Sequence, residues 1–227
     1  MTGARDERPM TVRLKTKKKR TVSQKRWLER QLNDPYVARA KREGMRSRAA
    51  YKLIEIDDKH HVLKPGAHVV DLGAAPGGWT QVAVERVKPE RSGGRVLGID
   101  ITPVAPIAGA TVLAKDFYDE DAPAVLRAEL GGLADVVLSD MAASATGDPQ
   151  IDHLRIMSLA EAAHAFAAEV LRHGGSFVAK VLRGGTERTL LDQLKHDFVK
   201  VRHIKPEASR ADSAEMYVVA TGFRGGG

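Results

Sequence analysis

The segment FVAKVLRGG, residues 177–185, reads as a buried strand running into a glycine turn, yet Lys180 stands in it between Ala179 and Val181. An ammonium is costly to bury alone; it either finds carboxylates or sheds its proton. A lysine so placed calls for a reason. Ionisable groups also close the other strand-like segments, at Asp71, Asp100, Asp116 and Asp140. One terminal Asp is ordinarily a cap or turn residue. Five successive strand ends carrying such groups point to a site, because ligands of open α/β sheets bind beyond the carboxyl ends of the strands.

The first of these strands runs into Gly73-Ala-Ala75-Pro-Gly77-Gly78-Trp79. A dinucleotide turn needs G-x-G-x-x-G, and here its middle glycine is missing; no G-K-[ST] follows, which excludes a Walker A loop. The turn admits a ligand close to the backbone, but its acidic surroundings repel phosphate. They suit a ligand with cationic groups and ribose hydroxyls, and S-adenosyl-L-methionine, with its sulfonium and ammonium, fits. Asp100 is then expected to accept from the ribose, as the acid after the second strand does in dinucleotide folds, and Asp116 from the adenine amino group. Phe117 and Trp79 either border this ligand or pack in the core. The histidines at 60, 61, 153, 164 and 203 show no metal-ligand spacing, so no metal is predicted.

These residues need a sheet to bring them together. Strand-like runs HVVDLG, GRVLGIDI, ATVLAKD, ADVVLSD, GSFVAKVL, VKVRHI and EMYVVATGF are separated by helical patterns at about 78–87, 123–130, within 151–172 and at about 186–197. Repeated β-α units predict an α/β fold: a Rossmann-like, mainly parallel seven-stranded sheet with helices on both faces. Only about ten residues, KPEASRADSA, join the last two strands. That is short for a crossover, so the final strand is expected to be antiparallel. Ahead of the sheet, RSRAAYKLIEIDDKHHVL reads as a helix with Ser47 as N-cap, ending before Pro65-Gly66.

At 227 residues the chain suits one sizeable domain with some sequence left over. It has no cysteine, which excludes disulfides and thiolate-bound zinc. No apolar run nears the roughly 20 residues of a membrane span, and MTGARDERPM lacks a signal-peptide core; a cytoplasmic protein is expected. Residues 1–45 hold 14 Lys+Arg against 5 Asp+Glu, whereas the remaining 182 hold 22 against 24. Residues 1–45 therefore read as a basic N-terminal arm, flexible to about residue 22 and then helical to Asn33, ahead of a domain at 46–227. Basic residues interleaved with Trp27 and Tyr36 suit RNA; a solvated tail is the alternative.

RSRAAYKL (46–53), VVDLGAAPGGWTQVA (69–83), VLSDMA (137–142), GGSFVAKV (174–181) and KPEASRADSAEMYVVATGF (205–223) together resemble, in order, the FtsJ/RrmJ family of ribosomal RNA 2'-O-ribose methyltransferases. The resemblance implies a class I methyltransferase fold and a catalytic tetrad at Lys52, Asp140, Lys180 and Glu215, with Lys180 as general base. It implies contacts to S-adenosyl-L-methionine from Gly73, Gly77, Trp79, Asp100, Asp116 and Asp140. Desolvation and a cationic neighbour would favour the amine form of such a base, while the two carboxylates act the other way, so the four should titrate as a unit.

The substrate implied is a uridine of 23S ribosomal RNA in the 50S subunit, with transfer RNA and messenger RNA caps as alternatives. A non-catalytic RNA-binding assembly factor is the reading from another class. No interface heptad is apparent, and a monomer is expected. Where the family commonly has Pro-Asn and an aromatic-Gln pair, this chain has Ala143-Ser144 and Leu182-Arg183. Both departures border the expected substrate site and bear on nucleotide preference rather than on the reaction.

Overall fold

A computed structural model of the chain describes residues 22–143, 146–183 and 187–225, with the side chains of 22–24, 26, 27 and 187 excepted. The expectations for residues 1–21, the Trp27 side chain and Ser144 lie outside what is described.

Two helices, α1 (Val22–Leu32) and α2 (Pro35–Glu43), precede α3 (Ala49–His60). The alternating part follows: β1 (His68–Leu72), α4 (Gly78–Val87), α5 (Pro89–Ser92), β2 (Arg95–Asp100), β3 (Thr111–Ala114), α6 (Ala122–Leu130), β4 (Ala134–Ser139), α7 (Pro149–Val170), β5 (Leu171–Leu182), α8 (Glu187–Asp197), β6 (Phe198–Ile204) and β7 (Glu215–Phe223). The seven strands lie in the order β3-β2-β1-β4-β5-β7-β6. β7 runs antiparallel to both neighbours while every other pair is parallel, as the short KPEASRADSA connection requires.

Central strands of a parallel sheet are covered on both faces and so read as unbroken apolar runs. Side chains alternate between the faces. Val70, Leu72, Val137, Phe177, Ala179, Val218 and Ala220 enter the core shared with α6, α7 and α8. Val69, Val136, Leu138, Val178, Tyr217 and Val219 enter the core under α3 and α4. Lys180 has the parity of Val178, so its side chain emerges on the α3 face, at the carboxyl end of the sheet. That places it beside the helix that carries Lys52.

One sequence expectation, the Ser47 cap, is corrected, and α2 is an element that the sequence pattern did not reveal. Asp34 caps α2 by accepting from Tyr36 N at 3.0 Å, and Pro35 occupies its first turn, where a missing N–H costs nothing. Ser47 does not cap α3: the cap residue is Arg48, without a side-chain bond. The Ser47 hydroxyl instead lies against Gly78, where an added Cβ would sit 2.3 Å from Oγ. The glycine thus lets α3 and α4 approach closely.

α2 is docked on the body. Ala40 is buried with Tyr51 and Ala208, Tyr36 packs at a tilt against Tyr51 with centroids 5.6 Å apart, and Tyr51 donates to Glu43 at 2.8 Å. Asp34, only 9 % exposed, pairs with Arg48 Nε at 2.9 Å and with Arg210 at 3.5 Å. The last dozen residues of the basic segment therefore contribute to the folded domain.

Candidate active site

Four elements deliver the predicted tetrad to one place. Lys52 comes from the first turns of α3, Asp140 from the residue after β4, Lys180 from β5 and Glu215 from the first residue of β7. Lys52 Nζ lies 2.7 Å from Glu215 Oε1. Lys180 Nζ lies 2.8 Å from Asp140 Oδ1 and 3.8 Å from Glu215 Oε2, and also donates to the Asp140 carbonyl at 2.9 Å. Both lysines are buried, at 6 % and 8 % exposure. Two ammonium and two carboxylate groups so arranged compensate one another; removing one partner of such a buried pair typically costs about 3–5 kcal/mol.

A fifth group joins them. Tyr217 OH accepts from Lys52 Nζ at 3.0 Å and donates to Asp140 Oδ1 at 2.6 Å. The hydroxyl therefore bridges the two ion pairs. Burial, then Asp140 and Glu215, push this phenol well above its ordinary value, which keeps it a neutral donor. Burial alone would raise the Glu215 carboxyl, but Lys52 and Lys180, with hydrogen bonds from Lys52 and Ser209, hold it below the usual range. Ser209 Oγ donates to Glu215 Oε1 at 2.9 Å.

Tyr217 and Ser209 were not singled out from the sequence. Tyr217 was within reach, since it lies two residues after Glu215 and so shares its face of the strand. Ser209 stands in the irregular 205–214 connection, where no periodicity marks it.

Beside the tetrad opens a cavity of about 530 Å³, lined by Gly73, Asp100, Asp116, Phe117, Asp140 and Met141, among others. Asp100 and Asp116 stand at its wall, each holding its own loop: Asp100 accepts from Ala75 N at 2.9 Å and Thr102 N at 2.7 Å, and Asp116 from Tyr118 N at 3.0 Å. Gly73 stands at φ 73°, and a Cβ there would lie 2.4 Å from Met141 Cγ, so the turn after β1 favours glycine for its backbone conformation and for the space the Met141 side chain takes. Asp71 sits beneath, buried and bonded to Thr80 Oγ1 at 2.6 Å. Desolvation, which the Thr80 hydrogen bond only partly offsets, raises its carboxyl to about 7, with Asp140 and Asp100 adding to the rise.

Phe117 borders the cavity, but Trp79 and Gly77 are not among its lining residues. Trp79 is 3 % exposed. It packs on Tyr217 with centroids 5.6 Å apart and donates from Nε1 to Ala49 O at 2.8 Å. Gly77 stands at φ 110° as the N-cap of α4. Above that turn Arg46 donates to the carbonyls of Ala105 at 2.6 Å and Pro106 at 2.5 Å, tying the loop after β2 to the glycine turn.

On the other side of Glu215 a cleft of about 260 Å³ is lined by Arg30, Arg48, Arg210, Asp212 and Ser213. Leu182 pairs with Glu215 across β5 and β7, and Arg183 N donates to Ala214 O at 3.0 Å. The Leu182-Arg183 departure therefore lies beside the tetrad. Among the described residues no cluster of His, Cys, Asp and Glu could hold a metal ion, and no helix is long and apolar enough to cross a membrane.

The family model described as FtsJ-like methyltransferase matches residues 45–223. A protein of Paramagnetospirillum magneticum named ribosomal RNA large subunit methyltransferase E is 63% identical over 221 residues, covering 96% of this chain and 90% of that protein. A protein of Xanthobacter autotrophicus with the same name is 59% identical over 220 residues, covering 97% and 87%. Among solved structures, a candidate ribosomal RNA methyltransferase from Plasmodium falciparum matches with TM-score 0.71 and 30% identity, covering 80% of this chain and 100% of that one. The chain belongs to the FtsJ-like methyltransferase family, and its fold is that of a methyltransferase.

Proposed function

We propose that this family member methylates the ribose 2'-hydroxyl of a uridine in large-subunit ribosomal RNA, acting on the assembled 50S particle. The observation that carries the reading is the convergence of Lys52, Asp140, Lys180 and Glu215 at the rim of an acidic cavity. The names of its relatives support ribosomal RNA as the substrate.

S-adenosyl-L-methionine supplies an activated methyl group on a sulfonium. The residues present fit it. The cavity wall carries Asp100, Asp116 and Asp140, which favour a cationic ligand with sugar hydroxyls and disfavour a phosphate, and Gly73 keeps the wall free of a side chain. We assign Gly73, Asp100, Asp116 and Asp140 to its binding. Trp79 and Gly77 contribute by supporting Tyr217 and shaping the turn.

In its amine form, after giving up its own proton, Lys180 takes the proton of the 2'-hydroxyl as the hydroxyl oxygen bonds to the methyl carbon. The methyl–sulfur bond breaks in the same step, its electron pair leaving on the sulfur of S-adenosylhomocysteine. Asp140 and Glu215 fix the Lys180 nitrogen, and Lys52 and Tyr217 fix those carboxylates. Positioned proton transfer of this kind is typically worth about 10²–10⁴ in rate, and alignment of the hydroxyl adds to it. The basic segment at 1–45, with the arginine-lined cleft beside Glu215, holds the RNA backbone.

The test is transfer of labelled methyl to 50S subunits, protein-free ribosomal RNA and transfer RNA, followed by nucleoside analysis. Label in 2'-O-methyluridine of large-subunit RNA is expected. Label on a base would overturn the tetrad assignment, and label confined to transfer RNA would overturn the substrate.

A further inference from the structure

The strands' other end carries a second cleft, of about 770 Å³, that the reaction does not use. Its floor is Ser176 of β5 and Thr221 of β7, and its walls include His60, His61, Lys64 and His173. β6, the edge strand, flanks the cleft with Lys200 and Arg202, whose register partners Thr221 and Val219 share the face of Tyr217. All four of Lys59, Lys64, Lys200 and Arg202 are exposed.

Little opposes this charge. Asp135, the carboxylate lining the cleft, is taken by Arg172 and by His68 N at 2.7 Å. Asp57 and Asp58, near the end of α3, are turned to Arg86 at 3.5 and 2.6 Å. Among the described residues no carboxylate pairs with Lys64, Lys200 or Arg202. His60 Nε2 is buried without a hydrogen-bond partner. Burial, then Arg202, Lys59, Lys200 and His61, depress the proton affinity of that imidazole, so these cations act on one spot. The concentration stands out because residues 46–227 as a whole carry more acid than base.

We propose that this cleft is a second binding site for the phosphate backbone of the ribosomal RNA, remote from the nucleotide that is methylated. The proposal rests on the functional reading above. Hydroxyls on the floor and imidazole and ammonium donors on the walls match phosphate oxygens in type and charge. β4 separates the two ends: Asp135 to Asp140 is five residues, about 17 Å at 3.3–3.4 Å per residue. That is about five nucleotides at a 3.4 Å rise per duplex strand. α3 runs beside this path, from Lys52 at the reacting end to His60 at the cleft. One stretch of RNA can therefore engage both ends.

The experiment compares the full chain with its Lys64→Ala/Lys200→Ala/Arg202→Ala and Lys180→Ala variants. Binding to protein-free large-subunit RNA and to 50S subunits is measured across a salt series, together with steady-state kinetics and S-adenosylhomocysteine affinity. For the triple variant, RNA affinity should fall about 10- to 100-fold at low salt, and the logarithmic salt slope should shrink by about 2 to 3, three lost contacts at about 0.7 each on a single strand or about 0.9 each on a duplex. KM for RNA should rise while kcat and S-adenosylhomocysteine affinity stay as in the parent. Lys180→Ala should bind RNA normally and lose transfer.

An unchanged slope and affinity in the triple variant, with normal binding by the parent, overturns the cleft alone. A loss seen with 50S subunits but not with protein-free RNA also overturns it, and assigns the surface to an acidic protein. Parent protein that neither binds nor methylates ribosomal RNA overturns the functional reading, and the cleft with it.

Discussion

Lys180 and Tyr217 face each other across the antiparallel pair of β5 and β7, and both end on one oxygen, Asp140 Oδ1, at 2.8 and 2.6 Å. The two ion pairs, which approach directly only at 3.8 Å between Lys180 and Glu215, are thus bridged by a phenol hydroxyl that receives from Lys52 and gives to Asp140. Tyr217→Phe removes only that oxygen and leaves the ring on Trp79. Two charge-assisted hydrogen bonds are lost, each typically worth about 1.5–3 kcal/mol. We expect methyl transfer to fall about 10- to 100-fold in kcat with RNA affinity preserved, measured by single-turnover transfer beside RNA binding. Unchanged kcat would mean that the bridge has no part in holding the tetrad.

Replacing Lys180 by Met keeps the length and apolar stem but removes the nitrogen. Transfer should fall by at least about 10²-fold while S-adenosylhomocysteine still binds, because the cavity lining does not include Lys180. Thermal unfolding should show destabilisation, since Asp140 loses its ion partner in a buried place. Retained transfer would remove Lys180 from the proton path.

Glu215 links the tetrad to acid stability. Its carboxyl is held below the ordinary 4.5 because Lys52 and Lys180 outweigh the effect of burial. A group with a depressed folded value stabilises the protein above its unfolded value, and that stabilisation is lost as pH falls through the folded one. Lys52→Met removes the nearest cation and leaves burial to act. The acid unfolding transition should then move to higher pH than in the parent, followed by circular dichroism between about pH 2 and 6. A transition at the parent's pH would contradict the ion pair.

Asp71 gives the opposite sign. Its folded value of about 7 lies above the ordinary 3.8, so the folded state favours the proton. Stability from this group is fully present below the unfolded value and declines as pH rises from about 4 to about 7. Asp71→Asn cannot ionise and still accepts from Thr80. The melting temperature of the variant should fall less between pH 5 and 8 than that of the parent, by differential scanning calorimetry. Parallel profiles would place the Asp71 titration elsewhere.

How far the sequence led depends on which forces its patterns report. Apolar runs ended by Asp71, Asp100 and Asp140 reveal the strands and the site at their ends, because burial on both faces and ligand position at strand ends are written in residue type, whereas the order of the strands is not. The antiparallel β7 followed from connection length alone. Lys180 was conspicuous for its apolar neighbours, whereas Lys52 looked like any helical lysine until α3 was packed on the sheet. Tyr217 drew no attention because its hydroxyl partners come from α3 and from beyond β4, far apart in the chain. The Ser47 cap failed for a similar reason: the contact that decides its role is with Gly78, and local pattern does not record it. The back cleft draws its charge from α3, the loop before β1, β5 and β6, so no charge run announces it.

Asp34 tests where the domain begins. By composition it belongs to the basic segment, but one carboxylate oxygen caps α2 at Tyr36 N while the other pairs with Arg48 and Arg210. Those two arginines line the cleft beside Glu215. Asp34→Ala removes the cap, typically about 1 kcal/mol, and takes the carboxylate from Arg48, which keeps its hydrogen bond to the Ala208 carbonyl; breaking a buried pair typically costs about 3–5 kcal/mol. The melting temperature should fall by several degrees. Because Arg48 and Arg210 would lose their fixed positions, KM for ribosomal RNA should rise, with S-adenosylhomocysteine affinity unaltered. A chain starting at Arg46 should behave like Asp34→Ala in stability and lose further RNA affinity through the missing basic residues. If that truncated chain melts at the parent temperature, α2 is not part of the folding unit and the contacts of Asp34 stabilise nothing measurable.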